Sequence, residues 1–217
     1  MKKQERISKI LKILIRKYGS YKKPTVRATS RQKDAFKTLV ACLLSLRTTD
    51  ENTARAAASL FSVASTPRQI AKLPIKKLEK LIYCSGYYKN KAKTIKHVAK
   101  VLLKKYNGKV PSTREELLSI KGIGPKTAAI VLGFAFGKKV IPVDVHVHTI
   151  ANRLGFVRTK KPEQTESELM KVVPQKYWRE LNTTFVLFGK EICKSVPICS
   201  KCPVCKLCPR IGVKKRK

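Results

Sequence analysis

The chain has 217 residues, 43% of them hydrophobic, which is enough to bury the core of one large domain or two small ones and excludes a disordered tail. It carries 49 lysines and arginines against 13 aspartates and glutamates, so its formal net charge is +36. This excess of cations predicts an acidic partner, of which nucleic acid is the commonest. A thermophile's charged surface is the alternative, but such surfaces are rich in glutamate as well as lysine, and glutamate is scarce here.

The charge pattern also bears on where the protein works. Lys9, Lys12 and Arg16 interrupt the apolar residues near the N-terminus, so we expect no signal peptide. The stretch 127–137 contains no charged residue, but it is far shorter than the ~20 apolar residues that span a bilayer. We therefore expect a soluble, cytoplasmic protein whose cysteines are thiols or metal ligands rather than disulfides.

Apolar residues at spacings of three and four predict helices along almost the whole chain. In chain order, the predicted helices cover residues 7–18, 34–46, 50–63, 67–73, 75–84, 89–106, 114–120, 125–136, 145–154, 166–173 and 177–192. Ser112 and Glu115 have the spacing of a capping box before the helix that ends at Ile120. The only strand-like string, 139–143, is short and has no alternating strand beside it. We therefore predict an all-α fold.

A glycine-containing turn, Lys121-Gly122-Ile123-Gly124-Pro125-Lys126, separates two of these helices. Gly122 and Gly124 allow positive φ and a close approach of the backbone to a ligand, and proline suits the first position of a helix. Backbone amides at a helix N-terminus bind phosphate oxygens without reading sequence. A plain connecting turn is the alternative, but the flanking helices and Lys121 favour phosphate binding.

Five of the seven cysteines fall within sixteen residues, and no histidine follows His148, which predicts an all-sulfur metal site. The five are Cys193, Cys199, Cys202, Cys205 and Cys208. Four cysteinates suit a structural zinc ion as well as an iron–sulfur cluster, so spacing alone does not choose the metal. Cys42 and Cys84 lie in apolar helical settings and are expected to be core thiols.

The string IKGIGPKTAAIV at 120–131, the string VDVH at 143–146 and the C-terminal cysteines together closely resemble the endonuclease III family of helix-hairpin-helix DNA repair glycosylases. Weaker matches, LLSLRTTD at 43–50 and GYYKNKA at 86–92, extend the resemblance over nearly the whole chain. It implies two helical domains with DNA bound across the cleft. These are a six-helix domain at 29–138, and a second domain that joins 1–28 to 139–217 and carries the cluster loop.

The activity that the resemblance implies is that of a bifunctional DNA glycosylase. Such an enzyme removes oxidised pyrimidines from double-stranded DNA and cuts the abasic site by β-elimination through a lysine Schiff base; we expect it to act as a monomer. The implied cofactor is a [4Fe–4S] cluster on Cys193, Cys199, Cys202 and Cys208. Cys205 is then a spare thiol, and the first gap has five residues where the family usually has six.

Lys126 matches the family's nucleophilic lysine, and Asp144 matches its essential aspartate. An attacking amine must be neutral. A helix dipole disfavours the charged form by only about 0.3–1 kcal/mol, so desolvation and nearby cations must supply the rest. A carboxylate can stabilise the cationic sugar and help to deprotonate the amine. From the sequence alone, Lys126 could be one more phosphate contact and Asp144 a helix N-cap, although the two roles of Asp144 are compatible.

Three further residues are predicted to contact DNA. Tyr87 follows a glycine in the family's wedge loop and can stack on bases after a nucleotide flips out, whereas its neighbour Tyr88 is expected to pack on the domain. Arg47 stands where the family commonly has glutamine; it could read a guanine opposite the lesion, or contact a phosphate, or cap a helix. Either His146 or His148 can face the site, because alternate residues of a helix do not share a face, and we choose His146.

Other functions remain open at this point. A non-catalytic helix-hairpin-helix module with a four-cysteine zinc site would bind DNA without cutting it, and a basic RNA-binding zinc protein would prefer RNA. Related thymine-mismatch glycosylases usually lack the lysine, and 8-oxoguanine enzymes usually lack the cysteine cluster. The presence of the lysine, the aspartate and the cysteines together favours endonuclease III.

Overall fold

The computed structural model of the protein describes residues 2–19 and 34–217. By their contacts these residues form two units, which we call the terminal unit (2–19 with 139–217) and the central unit (34–138). The predicted domain boundary at residues 28 and 29 lies outside the described residues. The part of the chain that the structure describes is helical and contains no strand, which confirms the all-α prediction. None of its helices is long and apolar enough to cross a membrane.

Eleven α-helices lie in the described ranges. In chain order they are α1 (Lys3–Tyr18), α2 (Ala35–Ser45), α3 (Asp50–Val63), α4 (Pro67–Lys72), α5 (Ile75–Leu81), α6 (Tyr88–Tyr106), α7 (Arg114–Ser119), α8 (Pro125–Ala135), α9 (Val145–Arg153), α10 (Pro162–Val172) and α11 (Trp178–Glu191). Single turns of 3₁₀-helix lie at Gln175–Tyr177, Cys199–Lys201 and Cys205–Leu207. The central unit thus holds α2 to α8, seven helices where the resemblance implies six.

The structure corrects one predicted helix cap and the predicted starts of two helices, α1 at Lys3 and α10 at Pro162. The cap of α7 is Thr113, not Ser112: the Thr113 hydroxyl accepts from the Glu116 amide at 3.4 Å, so the capping pair is displaced by one residue. Helix α10 begins at Pro162, four residues before the predicted start, because proline fits the first helical turn without losing a hydrogen bond. The string 139–143 is not helical and forms no strand.

Helix α2 forms the centre of the central unit. It is buried from Thr38 to Leu44 without interruption, since it packs against α3, α6 and α8. Such an all-round apolar surface is typical of a helix enclosed by its neighbours. Helices α4 and α5 pack on α6, and α7 packs on α8. Leu43 and Leu44, in the last turn of α2, are buried, so the carbonyl groups of this turn need partners.

The terminal unit is built on α11, against which α1 and α9 pack. Gly189 allows α9 to approach closely, because a Cβ atom at this position would lie 2.6 Å from Nδ1 of His146 and 3.2 Å from Cδ1 of Ile150. Arg6 ties α1 to the C-terminal segment: its Nη1 donates to the carbonyls of Leu154 at 2.7 Å and Leu207 at 3.1 Å. The first helix and the cysteine-rich segment are thereby parts of one unit.

Candidate active-site and DNA-binding residues

The two glycines of the hairpin turn have different roles. Gly122 has φ +100°, and a Cβ atom there would lie 2.5 Å from Cγ2 of Thr94, so both conformation and space require glycine. Gly124 is extended, with φ −93°, and a Cβ atom there would meet nothing within 4 Å. The prediction of positive φ is therefore right for Gly122 and wrong for Gly124. The missing side chain of Gly124 leaves open space at the start of α8.

That helix start has no side-chain cap, and Pro125 occupies its first turn. Lys121 and Gly124 are exposed beside it. An uncapped first turn carries the positive end of the helix dipole and backbone donors that suit an anion. This is the arrangement that phosphate binding by the hairpin requires.

Lys126 lies in the first turn of α8 and is half-buried. Its side chain comes close enough to Cys42 of α2 for its charge to be felt there. Burial raises the pKa of the Cys42 thiol to about 12, and the charge of Lys126 opposes that rise. Cys42 is a core thiol, as predicted, and its neutral form places no negative charge near Lys126.

Asp144 is the N-cap of α9. Its Oδ1 accepts a hydrogen bond from the Val147 amide at 2.9 Å, as expected for this role. The segment before Asp144 is anchored in the core. Ile141 and Val143 are buried, and Nδ2 of Asn182 donates to the Pro142 carbonyl at 2.9 Å. The carboxylate is thus held by both the helix that follows it and the segment that precedes it.

The two histidines of α9 have separate settings. His146 is half-buried with its ring against Gly189, so it takes part in packing, and its contact with DNA stays a prediction. Nδ1 of His148 lies 2.6 Å from Oγ1 of Thr165, whose hydroxyl in turn lies 2.6 Å from that of Thr159. His148 therefore joins α9 to α10.

Arg47 and Tyr87 lie together. The Arg47 guanidinium carbon is 5.7 Å from the centroid of the Tyr87 ring, within range of a cation–π interaction. Both residues are exposed, Tyr87 at 64%, and both have the left-handed backbone that non-glycine residues seldom adopt, with φ values of 52° and 59°. Tyr88 is half-buried. The two residues predicted for the wedge loop and for gap filling thus form one exposed pair.

Lys91 is a buried residue that sequence reasoning missed. It is 7% exposed, and its Nζ donates to the Leu44 carbonyl and to the Ser85 hydroxyl, both at 2.7 Å. Burial lowers its pKa to about 8. A signal was present, because Lys91 has helical spacing with the apolar residues Ile95, Val98 and Leu102 of the same face.

All five C-terminal cysteines line a cavity in the terminal unit that encloses about 370 Å³ of empty space, part of it open to solvent. Burial raises the pKa of Cys193 and Cys208, and that of Cys202 to about 11. Within the described chain, no three cysteine, histidine or acidic side chains converge closely enough to hold one metal ion. The thiols thus surround a space instead of meeting at a point.

Two arginines border this cavity. Arg153 donates through Nη1 to the Cys193 carbonyl at 3.2 Å and lies 3.5 Å from its sulfur, and its Nη2 donates to the Ser195 carbonyl at 3.0 Å. Nη2 of Arg210 lies 3.4 Å from the sulfur of Cys205. The buried Nε of Arg210 has no hydrogen-bond acceptor among the described residues. Cationic donors therefore face the sulfurs.

Comparison with known proteins agrees with this geometry. Residues 40–175 match the HhH-GPD superfamily of base excision DNA repair proteins. Endonuclease III of Thermotoga maritima is 46% identical over 164 residues, 76% of this chain and 77% of that protein. Endonuclease III of Escherichia coli strain K12 is 36% identical over 186 residues, 86% and 87% of the two chains.

Among solved structures, a trapped endonuclease III–DNA covalent intermediate matches with a TM-score of 0.79 and 31% identity, covering 97% of each chain. The resemblance found in the hairpin, aspartate and cysteine motifs is thus confirmed at the level of whole chains. The chain belongs to the endonuclease III family, within the HhH-GPD superfamily of base excision DNA repair proteins.

Proposed function

We propose that this protein removes oxidised pyrimidines from double-stranded DNA and cleaves the resulting abasic site, acting as a monomer in the cytoplasm. Its family makes it a base-excision repair glycosylase and abasic-site lyase. The single observation that carries the assignment of the chemistry is the lysine in the first turn of the uncapped helix α8, directly after the hairpin. An amine in that place is close to where the hairpin would hold a phosphate.

Lys126 is the nucleophile of the proposed mechanism. Its neutral Nζ forms a bond to the sugar C1′ while the bond from C1′ to the damaged base breaks, and the electron pair leaves with the base. The nitrogen then loses one proton, the C1′–O4′ bond breaks as the nitrogen forms a double bond to C1′, and O4′ takes up a proton, which gives a protonated Schiff base. Removal of a C2′ proton then breaks the C3′–O bond, and the 3′ phosphate leaves.

Asp144 is the acidic partner in this mechanism. Cationic charge develops on the sugar as the base departs, and a fixed carboxylate stabilises it. The same group can accept a proton from the attacking amine. Its hydrogen bond to the Val147 amide and the anchored Pro142 carbonyl hold it in place before substrate arrives. The cap and the catalytic role therefore use the same orientation of the side chain.

Duplex DNA is the proposed partner. The exposed Lys121 and the open backbone at Gly122 and Gly124 bind a phosphate, and the net charge of +36 attracts the polyanion at long range. Arg47 and Tyr87 occupy the gap that a flipped nucleotide leaves in the stack. Base stacking on an aromatic ring is worth about 1–3 kcal/mol, enough to offset much of the cost of unstacking.

The cysteine cavity is proposed to hold a [4Fe–4S] cluster on Cys193, Cys199, Cys202 and Cys208. The residues fit such a group: the thiols surround an open cavity, whereas a zinc ion with sulfurs at about 2.3 Å leaves no space among its ligands. Arg210 lines the cavity, and its buried Nε has no acceptor in the described chain. A sulfide of the cluster would supply an acceptor there. Such a cluster would brace the loop that holds it.

Borohydride trapping tests the proposed chemistry. The wild-type protein should be cross-linked to duplex DNA with an abasic site, and peptide mapping should locate the adduct at Lys126. Lys126→Gln should abolish the adduct and retain duplex binding, because half or more of protein–DNA hydrogen bonds go to phosphate and sugar. Lys93→Gln, at an exposed position of α6, is the matched control. Undiminished trapping by Lys126→Gln would overturn the assignment, and absence of trapping in the wild type would favour a non-catalytic DNA-binding module.

Metal analysis tests the cluster separately. Anaerobically purified protein should contain iron and acid-labile sulfide, Cys199→Ser should lose both, and Cys205→Ser should keep both. Zinc without sulfide in the wild type would replace the cluster with a four-cysteine zinc site. Loss of iron in Cys205→Ser would show that the ligand set is wrong.

A further inference from the structure

Lys91 lies at the centre of a small buried network in the central unit. Its Nζ, the Ser85 hydroxyl and the Leu44 carbonyl form a closed triangle, with both lysine contacts at 2.7 Å and a bond from Ser85 Oγ to the carbonyl at 2.9 Å. Leu44 belongs to the last turn of α2, whose carbonyl groups have no partner within the helix. The ammonium group and the hydroxyl supply two donors to that carbonyl.

The triangle lies directly beneath the exposed pair. Leu44 precedes Arg47 by three residues, and Ser85 precedes Tyr87 by two. Between them the two loops touch again: the Gly86 amide is 3.5 Å from Oγ1 of Thr48, and a Cβ atom at Gly86 would lie 3.0 Å from the Arg47 carbonyl. In each loop, the residue that belongs to the network thus lies within three residues of the exposed Arg47 or Tyr87.

The backbone conformation of Arg47 and Tyr87 needs support from the surrounding structure. Arg47 and Tyr87 both have positive φ, and such backbone strain persists only where the surrounding structure enforces it. A single cation–π contact at the surface is weak. The hydrogen bonds of Lys91 are charge-assisted and buried, so they are the strongest contacts that join the two loops.

The charge of Lys91 serves the last turn of α2, and it carries a cost. Burial disfavours the ammonium form, and a pKa of about 8 shows that the protein retains the charge at neutral pH against that cost. An apolar side chain of similar length would avoid the cost and complete the buried face of α6, which includes Ala92 and Ile95. Beside the bond from the Ser85 hydroxyl to the Leu44 carbonyl, the amine adds two further hydrogen bonds between α2 and the loop before α6.

We propose that Lys91 is a positioning residue that holds Arg47 and Tyr87 as one preassembled pair before DNA binds. The inference deepens the proposed function, since it rests on that pair filling the gap in the duplex. Lys91 itself touches no DNA. It acts through the backbone of the two loops, and it reduces the ordering that binding would otherwise require.

Hydrogen exchange in the free protein tests the proposal without any need for activity. In Lys91→Met, the backbone amides of residues 46–48 and 85–87 should exchange roughly tenfold faster than in the wild type, because the local opening loses charge-assisted bonds. Amides of the hairpin at 121–126 should keep their rates. Lys93→Met, which removes an exposed lysine two residues away on the same helix, should match the wild type. Unchanged loop amides, or equal acceleration throughout the central unit, would overturn the proposal.

Ser85→Ala provides a milder second variant that removes one side of the triangle. It should accelerate the same amides by a smaller factor, since Lys91 keeps its bond to the Leu44 carbonyl. In binding to lesion-containing duplex, a double-mutant cycle between Arg47→Gln and Tyr87→Leu should show coupling of about two- to fivefold, which Lys91→Met should abolish. Coupling that survives Lys91→Met would contradict the positioning role. A wild type that fails to excise lesions would sink the proposed function, yet the exchange result would still decide the role of Lys91.

Discussion

Helices α8 and α9 both begin beside a residue proposed to act in catalysis, but their starts are built in opposite ways. Helix α9 is capped by its own acid, because Oδ1 of Asp144 accepts from the Val147 amide at 2.9 Å. Helix α8 begins at Gly124 with no side-chain cap and with open space where a side chain would stand. The first helix start has a side-chain cap, and the second has none.

The difference shows how one kind of structural position serves two chemical needs. A carboxylate near polyanionic DNA would be repelled and displaced if it were mobile, so its hydrogen bond to the helix holds it where it is needed. The start of α8 has the opposite requirement, because a capping oxygen would compete with the phosphate for the same donors. The capped start positions a carboxylate, and the uncapped start is proposed to bind a phosphate.

Asp144→Asn separates the cap from the chemistry and should have the largest effect. Asparagine caps helices about as well as aspartate, so thermal stability should change little. Excision under single-turnover conditions should fall by about 10²- to 10⁴-fold, because the fixed negative charge and the proton acceptor are lost. Asp144→Ala should lose the same activity and also about 1 kcal/mol of stability.

Asp34→Asn is the matched control, since Asp34 caps α2 with the same geometry, at 2.9 Å from the Lys37 amide. Its excision rate should equal that of the wild type. Near-normal excision by Asp144→Asn would mean that Asp144 is a cap alone, and the contrast between the two helix starts would then be structural only.

Arg47→Gln extends the comparison to α6, whose start at Tyr87 also lacks a side-chain cap. If Arg47 reads a guanine edge opposite the lesion, excision should favour guanine over adenine by roughly 5- to 150-fold, and Arg47→Gln should flatten that preference. If Arg47 contacts a phosphate, the variant should weaken binding to every duplex alike and lower the salt slope by about one. Single-turnover excision of one lesion opposite each of the four bases distinguishes the two roles. An unchanged ranking of the four substrates would rule out base reading.

Two glycine variants test the uncapped start directly. Gly124→Ala should fold normally, because the added methyl meets no protein atom within 4 Å, and yet it should weaken duplex binding by about tenfold as it enters the space for the phosphate. Gly122→Ala should lower the free energy of unfolding by about 1–3 kcal/mol, since its φ is +100° and Thr94 lies in the way. Denaturant unfolding and a binding titration measure the two effects. Equal binding by Gly124→Ala and the wild type would remove the phosphate from this position.

Lys91 gives the last prediction, a dependence of stability on pH. Burial lowers its pKa in the folded state to about 8, below the ordinary 10.5, so between these values the unfolded chain binds more protons than the folded one. Its contribution to stability should therefore rise with pH across this window, by at most about 1.4 kcal/mol per unit. The difference in unfolding free energy between the wild type and Lys91→Met should follow this rise, and the difference from Lys93→Met should stay flat. A constant difference for Lys91→Met would contradict the lowered pKa.

Local patterns in the sequence predict most of the helices, because an apolar stripe specifies both a helix and its buried face. The same reasoning finds the cap at Asp144 and the conformation of Gly122. It fails by one residue at Thr113, since serine and threonine are adjacent there and both have a glutamate three residues later. Neighbouring residues that fit one motif equally well are separated only by the tertiary contacts of the helix.

The parts of the site that the sequence does not predict depend on distant contacts. Nothing local shows that Arg47 and Tyr87, forty residues apart, lie 5.7 Å from each other, or that Lys91 joins the ends of their loops. The helical spacing of Lys91 with Ile95 places it on the buried face, but lysine is so seldom buried that composition argues the other way. The cavity among the cysteines, similarly, follows from the packing of the terminal unit.

The hydrogen bond from Arg6 to the Leu207 carbonyl joins residues that are 201 positions apart, so its two partners are synthesised at different times. Helix α1 leaves the ribosome well before its partner helix α11 and the carbonyls that Arg6 binds. At about 5–20 residues per second, Ile7, Ile10, Leu11 and Leu14 wait roughly 10–40 seconds for their native neighbours. In the sequence, the central unit lies between the two segments of the terminal unit. All of its described residues are therefore synthesised before α1 can pack against α11. Helix α1 can thus pack into the terminal unit only late in synthesis. Until α11 and the cysteine-rich segment have been made, the apolar face of α1 must be kept from aggregating.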